Sequence, residues 1–541
     1  MSALKEYLED LHRIRASGIA TIERSYYPAL DGLFRAVGDG LTPLVAPIHD
    51  IQDQGAGHPD FVLEVEDSHD LRAAVEVKGL ADDVEEIVRS EQVRRYLTQH
   101  DPVLVTNLRD FALTRRGANG HPEIFMRHTL APDAATFWRT PVHTLVAKHE
   151  HDMLDLLTNT LLWDARLTRP RDLARALARY ARNALRRLET QDASALAPLR
   201  SALADALGLH FTDEHGEHFF RSSLVQTLFY GLFSAWVVWN RQGAPGGEAA
   251  FRWKDAGDYL SLPVLRELFE SVARPGQLLD LDLSQPLEWA EATLRHASWA
   301  GFSAGFDESD AVNYFYEPFL EAYDPDLRDQ LGVWYTPREI IRYQVARVDQ
   351  LLREELGKPL GLADSDVLVL DPATGTGGYP LEVLRVIDAT LRKQGVGATR
   401  AMQLRRAATR RVFGFEILPA PFVVAHLQLA TLLASLGAPL EPNERAGVYL
   451  TNALTGWKQA DAEQGHFAGF PKLKGEVEAA TEVKRSASIL VVLGNPPYNG
   501  FAGVAEAEEG ELIKPYMDGL YERFGIQARW LNDLYVRFFR L

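Results

Sequence analysis

Residues Ile489-Leu490-Val491-Val492-Leu493-Gly494 make a short apolar run that stops at Asn495-Pro496-Pro497-Tyr498. The run is brief and rich in branched side chains, so it reads as a buried strand. Neither proline can donate a ladder hydrogen bond, and the chain must therefore leave the sheet there in a stiff corner. That corner presents an amide, Asn495, beside an aromatic ring, Tyr498. Such a pair suits a flat, amine-bearing base drawn out of a stack. A proline turn after a core strand, with no further role, is the competing reading.

A second corner lies upstream. The apolar run Val367-Leu368-Val369-Leu370 leads into Asp371-Pro372-Ala373-Thr374-Gly375-Thr376-Gly377-Gly378-Tyr379. Strand, glycine turn and helix are what a doubly wound sheet offers an adenosine-containing cofactor. The glycines let the backbone approach closely, and an acid at the strand end can reach cofactor hydroxyls or a charged tail. The spacing is neither the dinucleotide fingerprint nor a P-loop, and a glycine turn with no such role is the alternative. Taken as an ordered pair, the two corners resemble the cofactor and catalytic motifs of S-adenosylmethionine-dependent N6-adenine DNA methyltransferases.

That resemblance implies roles for individual residues. Asn495, Pro496, Pro497 and Tyr498 would be catalytic. Tyr335-Thr336-Pro337 would open a helix over the methionine part of the cofactor, with Pro337 well placed as a first helical residue. Asp371, Ala373, Gly375 and Gly377 would form the cofactor turn, and Glu416 with Ile417, at the end of the next strand, would meet the ribose hydroxyls. Asn452 stands where the family contacts the cofactor's adenine amine and usually carries an acid.

Composition narrows the chemistry. The 541 residues imply several domains, and the chain contains no cysteine. This removes disulfides, cysteine-bearing zinc sites and a thiol nucleophile, and C5-cytosine methylation normally needs that thiol. The longest apolar helix candidate, Leu224 to Trp239, is short for a bilayer and contains Gln226. No secretory signal is present, which points to a soluble cytoplasmic protein. A net charge of −18 is awkward for an enzyme acting on DNA, so positive charge must be local. Arg166, Arg169, Arg171, Arg175, Arg179, Arg182, Arg186 and Arg187 supply it. Arg171, Arg175, Arg179, Arg182 and Arg186 recur at helical spacing, as a solvated face or as a phosphate-tracking ridge.

The front of the chain has its own pattern. Residues 1 to about 36 read as helix. Gly57 to Val65 reads as a turn feeding a strand, and Arg72 to Gly79 alternates with period two, which places Glu76 and Lys78 on one side. Asp60 and Glu76 on adjacent strands can hold a hard ion such as Mg²⁺, and Lys78 can orient water or stabilise developing charge. A helix at Glu91–Tyr96, a strand at Val103–Asn107 and a run at Phe111–Leu113 follow. This succession resembles the PD-(D/E)xK nuclease domain at the front of fused restriction–modification enzymes of the type ISP and type IIG group. In that resemblance Asp60, Glu76, Lys78 and Gln92 are the catalytic set, and Glu23 joins Asp60 and Glu76 as a metal ligand.

The expected fold is α/β multidomain: a small nuclease-like α/β domain (1–145), an all-helical connector (150–330), and a Rossmann-like S-adenosylmethionine-dependent methyltransferase (331–541). The acidic segment 501–515 would lie beside the catalytic loop. Asn532 to Arg540 resembles the family motif that follows it. The methyltransferase is expected to be C-terminally incomplete, without a target-recognition domain. The expected function is adenine-N6 methylation of double-stranded DNA, fused to a Mg²⁺-dependent endonuclease in a restriction system against phage, with other defence-system subunits as partners and no membrane. The alternatives are a modification-only methylase with an inactive front domain, and a partner-dependent DNA-binding subunit.

Overall fold

The computed structural model describes the chain apart from residues 1, 18–22, 42–43, 50–56, 118–119, 163–169, 192, 208–213, 244–250, 261, 305–314, 325–335, 442–443, 458–466, 468, 498–522, 524, 526–533 and 541. It divides into two units, Met1–Arg166 and Leu167–Leu541.

The first unit opens with α1 (Ala3–Ala16), capped by the Ser2 side chain, which buries Leu4, Tyr7, Leu8 and Leu11 on one face. The single helix expected to residue 36 is instead two. A 3₁₀ turn at Glu23–Tyr26 precedes α2 (Tyr27–Gly38), which restarts with Pro28 in its first turn, where a missing N–H costs nothing. Six strands follow: β1 (Val45–Ile48), β2 (Phe61–Val65), β3 (Leu71–Val77), β4 (Val103–Thr106), β5 (Asp110–Arg116) and β6 (Pro122–Thr129). They pair in chain order into one sheet, antiparallel throughout except for β3 beside β4. Residues 72 to 77 of β3 are all buried, because both faces of this inner strand are covered. Between β3 and β4, α3 (Val84–Val88) and α4 (Glu91–Tyr96) pack Val84, Val88, Val93 and Tyr96 on Ala74, Val103 and Val105. After α5 (Ala134–Arg139), the long α6 (Val142–Leu161) returns to pack on α1, α2, β3 and β6.

The second unit begins with helices: α7 (Pro170–Thr190), α8 (Ala197–Leu207), α9 (Glu214–Arg241), α10 (Ala256–Tyr259), α11 (Pro263–Val272), α12 (Pro275–Asp280), α13 (Ser284–His296), α14 (Trp299–Ala304) and α15 (Glu317–Tyr323). On α7, Arg171 and Arg175 are exposed. Arg187 is instead committed to packing, bonding Asn183, Asp282 and Gln285 and lying over Trp289. Arg166 and Arg169 lie outside the described residues. The middle of α9, from Phe220 to Val237, is buried against α7, α10, α11 and α13. Among the described residues, no helix is long and apolar enough to cross a membrane.

Strands and helices then alternate: α16 (Arg338–Glu354), β7 (Val369–Asp371), α17 (Gly378–Lys393), α18 (Arg400–Arg410), β8 (Val412–Glu416), α19 (Pro419–Ser435), β9 (Gly447–Leu450), α20 (Pro471–Ser486) and β10 (Val491–Val492). A last helix, α21, spans Leu534–Arg540. The sheet runs β10-β7-β8-β9 and is parallel throughout. The preceding helices pack directly on this layer. Arg241 of α9 donates to the Thr431 hydroxyl of α19 at 2.7 Å, and Glu267 of α11 caps α20 by accepting the N–H groups of Lys472 and Leu473.

The apolar run Ile489–Gly494 implies a buried strand, yet Leu490 and Val492 are 45% and 58% exposed. β10 is an edge strand among the described residues, paired only with β7, so one of its faces is uncovered.

Candidate functional site

The strand order places one feature above the rest. From β7 the chain steps to β8 and then β9 on one side, and returns to β10 on the other. The gap beyond the carboxyl ends of β7 and β10 is therefore the topological switch point, where open parallel sheets receive ligands. Both sequence corners emerge there.

The β7 corner is built from its own side chains. Thr374 donates its hydroxyl to the Asp371 carbonyl at 2.9 Å and its N–H to the Phe415 carbonyl at 3.0 Å. Gly375 and Gly377 have φ of +54° and +94°, a region that favours glycine. A Cβ on Gly377 would sit 3.3 Å from Ala425 of α19, while one on Gly375 would meet nothing within 4 Å, so the turn is open on that side. Gln428 of α19, buried behind the turn, donates to the Thr376 carbonyl at 2.9 Å. Gly414 in β8 lets Thr374 approach, since a Cβ there would fall 2.3 Å from its hydroxyl. Thr374, Gly414 and Gln428 were missed in the sequence. Only Gly414, an isolated glycine between Phe413 and Phe415 in a strand, carried a readable signal of close backbone approach.

Two acids line this corner. Glu416 accepts the N–H of Gly375 through Oε2 and that of Leu418 through Oε1, both at 2.8 Å. Asp371 is 1% exposed, and its Oδ1 accepts the Ala373 N–H at 3.1 Å. Its Oδ2 is buried with no hydrogen-bond partner. Burial pushes Asp371 up to about 8, with the nearby Glu416 adding to the effect, and burial pushes Glu416 up to about 7. An orphaned, buried carboxylate oxygen beside an open glycine turn has an unmet demand for a donor or a cation.

The β10 corner meets the β7 corner directly. A Cβ on Gly494 would lie 2.4 Å from Asp371 Oδ1, so only glycine lets the strands exit side by side. One residue on, Asn495 Nδ2 donates to the Thr336 hydroxyl at 3.0 Å. Thr336, Asp371 and Asn495 are thereby gathered at one edge. Ala373 and Ile417 sit on the same turns, half-buried. Asn452, just past β9, is buried, its Oδ1 accepting the Leu454 N–H at 2.9 Å. Lys484 of α20 fixes that loop through Thr451 Oγ1 and the carbonyls of Asn452 and Thr455, at 2.8, 2.7 and 2.9 Å. Pro337, expected as the first helical residue, is instead the cap of α16, with extended ψ of 135°, and is exposed; Pro496 and Pro497 are half-buried. Tyr335 and Tyr498, like the segment 501–515 and Asn532-Asp533, lie outside the described residues.

The first unit carries its own acid pair. The register Phe61↔Val75 puts Asp60 opposite Glu76, where side chains share a face. Asp60 accepts the Tyr27 hydroxyl on one oxygen and the Val77 N–H on the other, the latter at 2.7 Å. Glu76 is 1% exposed and pairs with the Lys78 ammonium, while its Oε2 has no hydrogen-bond partner. Burial pushes Glu76 up to about 7; Lys78 opposes this and Asp60 reinforces it. Gln92 donates to the Tyr96 hydroxyl at 2.8 Å, and that hydroxyl donates to the His58 carbonyl at 2.7 Å. Two hard carboxylates with one orphaned oxygen fit a single Mg²⁺ that keeps most of its water. Among the described residues no third His, Cys, Asp or Glu joins them. Glu23 heads its 3₁₀ turn, with its side chain outside what is described.

Residues 307–432 match the family model described as N-6 DNA Methylase. The match takes in Thr336, Asp371, Gly375, Gly377 and Glu416 and ends before Asn452 and Asn495. No curated protein matches the chain. Similar solved structures include a DrdV–DNA complex, at 19% identity over 99% of this chain and 48% of that one, with a TM-score of 0.47. Another is a nuclease-deletion mutant of the Type ISP restriction-modification enzyme LlaGI with a DNA substrate mimic, at 16% identity over 73% and 30%, TM-score 0.46. A third is the ATP-dependent Type ISP restriction-modification enzyme LlaBIII bound to DNA, at 16% identity over 74% and 26%, TM-score 0.47. The chain thus spans less than half the length of each.

Proposed function

We propose, from the match of residues 307–432 to the N-6 DNA methylase family, that the second unit transfers a methyl group from S-adenosylmethionine to the N6 amine of adenine in DNA. The observation that carries this reading is the meeting of the two corners at the switch point, with Gly494 against Asp371 and Asn495 against Thr336. When bound, the cofactor supplies a sulfonium methyl that is already activated for transfer. The protein's task is then to position the acceptor. Asp371 offers its orphaned carboxylate oxygen to the cofactor's cationic end. Glu416, which accepts the Gly375 N–H, would also accept hydrogen bonds from the ribose hydroxyls. Asn495 and the Pro496 carbonyl accept hydrogen bonds from the amine of an extruded adenine, drawing its lone pair out of conjugation, and Tyr498 stacks on the base.

The first unit, in this reading, is a PD-(D/E)xK-like endonuclease that cuts DNA lacking the methyl mark. Asp60 and Glu76 would hold Mg²⁺, and Lys78 would steady the attacking water. Fused in one chain, the two activities make a restriction–modification enzyme of phage defence, with the helices from α7 to α15 as connector. The test is direct. The protein is incubated with labelled S-adenosylmethionine and genomic DNA, with and without Mg²⁺, and methyl groups and breaks are mapped. Label on adenine N6 without Mg²⁺, and breaks only with it, is the expected result. Absence of label overturns the methylase reading, and absence of breaks overturns the nuclease.

A further inference from the structure

We infer that one side of α16, carried by half-buried Arg338 and by exposed Arg342 and Tyr343, grips the DNA backbone beside the extruded base. The inference rests on the proposed methylase reading and adds a surface to it. α16 is anchored on its other side: Ile341, Val345 and Leu352 are buried, and Arg353 near its end is held by Asp349, the Leu360 carbonyl and Thr390. Its N-terminal half is different. Tyr343 is 71% exposed, Ile340 is 46% exposed and Arg342 is exposed. Among the described residues neither Arg338 nor Arg342 has an acidic partner within ion-pair distance, although Arg353 does.

This arrangement works against the helix itself. The N-terminal end of a helix carries partial positive charge, and cations there are unfavourable. Arg338, at the first helical position, gains nothing for the fold from that end, where Glu339 is the favoured charge, and Arg342 stands one turn further in. What they gain is location. The helix starts two residues after Thr336, whose hydroxyl takes the Asn495 amide. Four residues of helix advance about 6 Å, so both guanidiniums and the phenol ring stand close to the catalytic corner. Guanidiniums pair with phosphates through forked hydrogen bonds, and a flat exposed ring packs against sugar or base. A polyanion is the occupant with matching charge.

The test measures binding of the full-length protein to a mixed-sequence duplex across about 50 to 200 mM salt. Each lost phosphate contact should flatten the slope of log K against log salt by about 0.9. Arg342→Gln is expected to do so by about one such step and Arg338→Gln/Arg342→Gln by about two. Tyr343→Ala should weaken binding about tenfold with the slope retained. S-adenosylmethionine affinity, measured by calorimetry, should stay at the wild-type value in Arg342→Gln and Tyr343→Ala. Wild-type binding with an unchanged slope in the double variant overturns this inference alone. The same holds if the variants change only the sedimentation of the protein, since the face would then be a protein contact. Failure of the wild type to bind DNA at all overturns the methylase reading and takes this inference with it.

Discussion

Two acid pairs, one in each unit, look alike in the sequence and differ in the fold. Asp60 and Glu76 are largely answered from within: Tyr27 and the Val77 N–H take both Asp60 oxygens, and Lys78 pairs with Glu76. Asp371 and Glu416 receive only backbone N–H groups, and one Asp371 oxygen receives nothing. The first pair is only partly compensated: Lys78 meets one Glu76 oxygen, while Glu76 Oε2, like Asp371 Oδ2, has no hydrogen-bond partner. The second leaves a buried charge deficit that a cationic ligand would fill. A pair with a resident ammonium beside it and a pair met only by backbone N–H groups should respond differently to ligand, pH and substitution.

The sharpest break would come at the second site. Asn495→Ala should lower methyl transfer about 10²- to 10³-fold, the cost of losing one preorganised hydrogen-bonding group, while S-adenosylmethionine binding persists. Undiminished transfer to adenine in that variant ends the catalytic assignment. Next comes Lys78→Ala, which should reduce cleavage of unmethylated DNA at least about 100-fold. Equal cutting by variant and wild type removes the nuclease reading of the first unit.

Asp371→Asn should weaken S-adenosylmethionine binding about 10- to 100-fold, the worth of a hydrogen bond to a charged group, as read by calorimetry. It should not lower the thermal stability of the ligand-free protein at pH 8. The reason is one of sign. A carboxyl group that binds protons more tightly folded than unfolded loses stability as pH rises between its two values. For Asp371 that window runs from 3.8 to about 8, and the neutral amide escapes it. A variant markedly less stable than wild type at pH 8 would mean that the Asp371 charge is already satisfied. The smallest effect belongs to the first pair. Because Glu76 sits at about 7, Mg²⁺ must displace its proton at pH 6 but not at pH 8. Its affinity should therefore rise about tenfold between them. A flat profile would show that Glu76 is not a ligand.

Much of the second site was legible because its signals are local. Two prolines end a strand wherever they occur, and glycines at 375 and 377 announce a backbone that other residues resist. The alternation of strand and helix after Arg338 likewise announced a parallel sheet, and four parallel strands are present among the described residues. Other features were not legible. That β10 is an edge strand, with Val492 exposed, depends on which strands lie beside it, and an apolar run does not encode its neighbours. The restart of the helix at Tyr27, by contrast, was signalled by Pro28, which suits a first turn and not a helix interior. Gln428 and the Thr374 N–H carry no local signature, because each meets a partner at least 40 residues away: the Thr376 carbonyl for one, the Phe415 carbonyl for the other.

By itself, the sequence determined where the chain must turn and which chemistry it lacks. Backbone freedom at glycine, backbone restriction at proline and the absence of any thiol are properties of residues and travel with them. Only the tertiary structure decided that Gly494 exits against Asp371, that Asn495 reaches Thr336, and that Glu76 and Asp371 are each left with one buried, unpaired oxygen. Those outcomes follow from strand order and burial, and both arise from packing segments far apart in the chain.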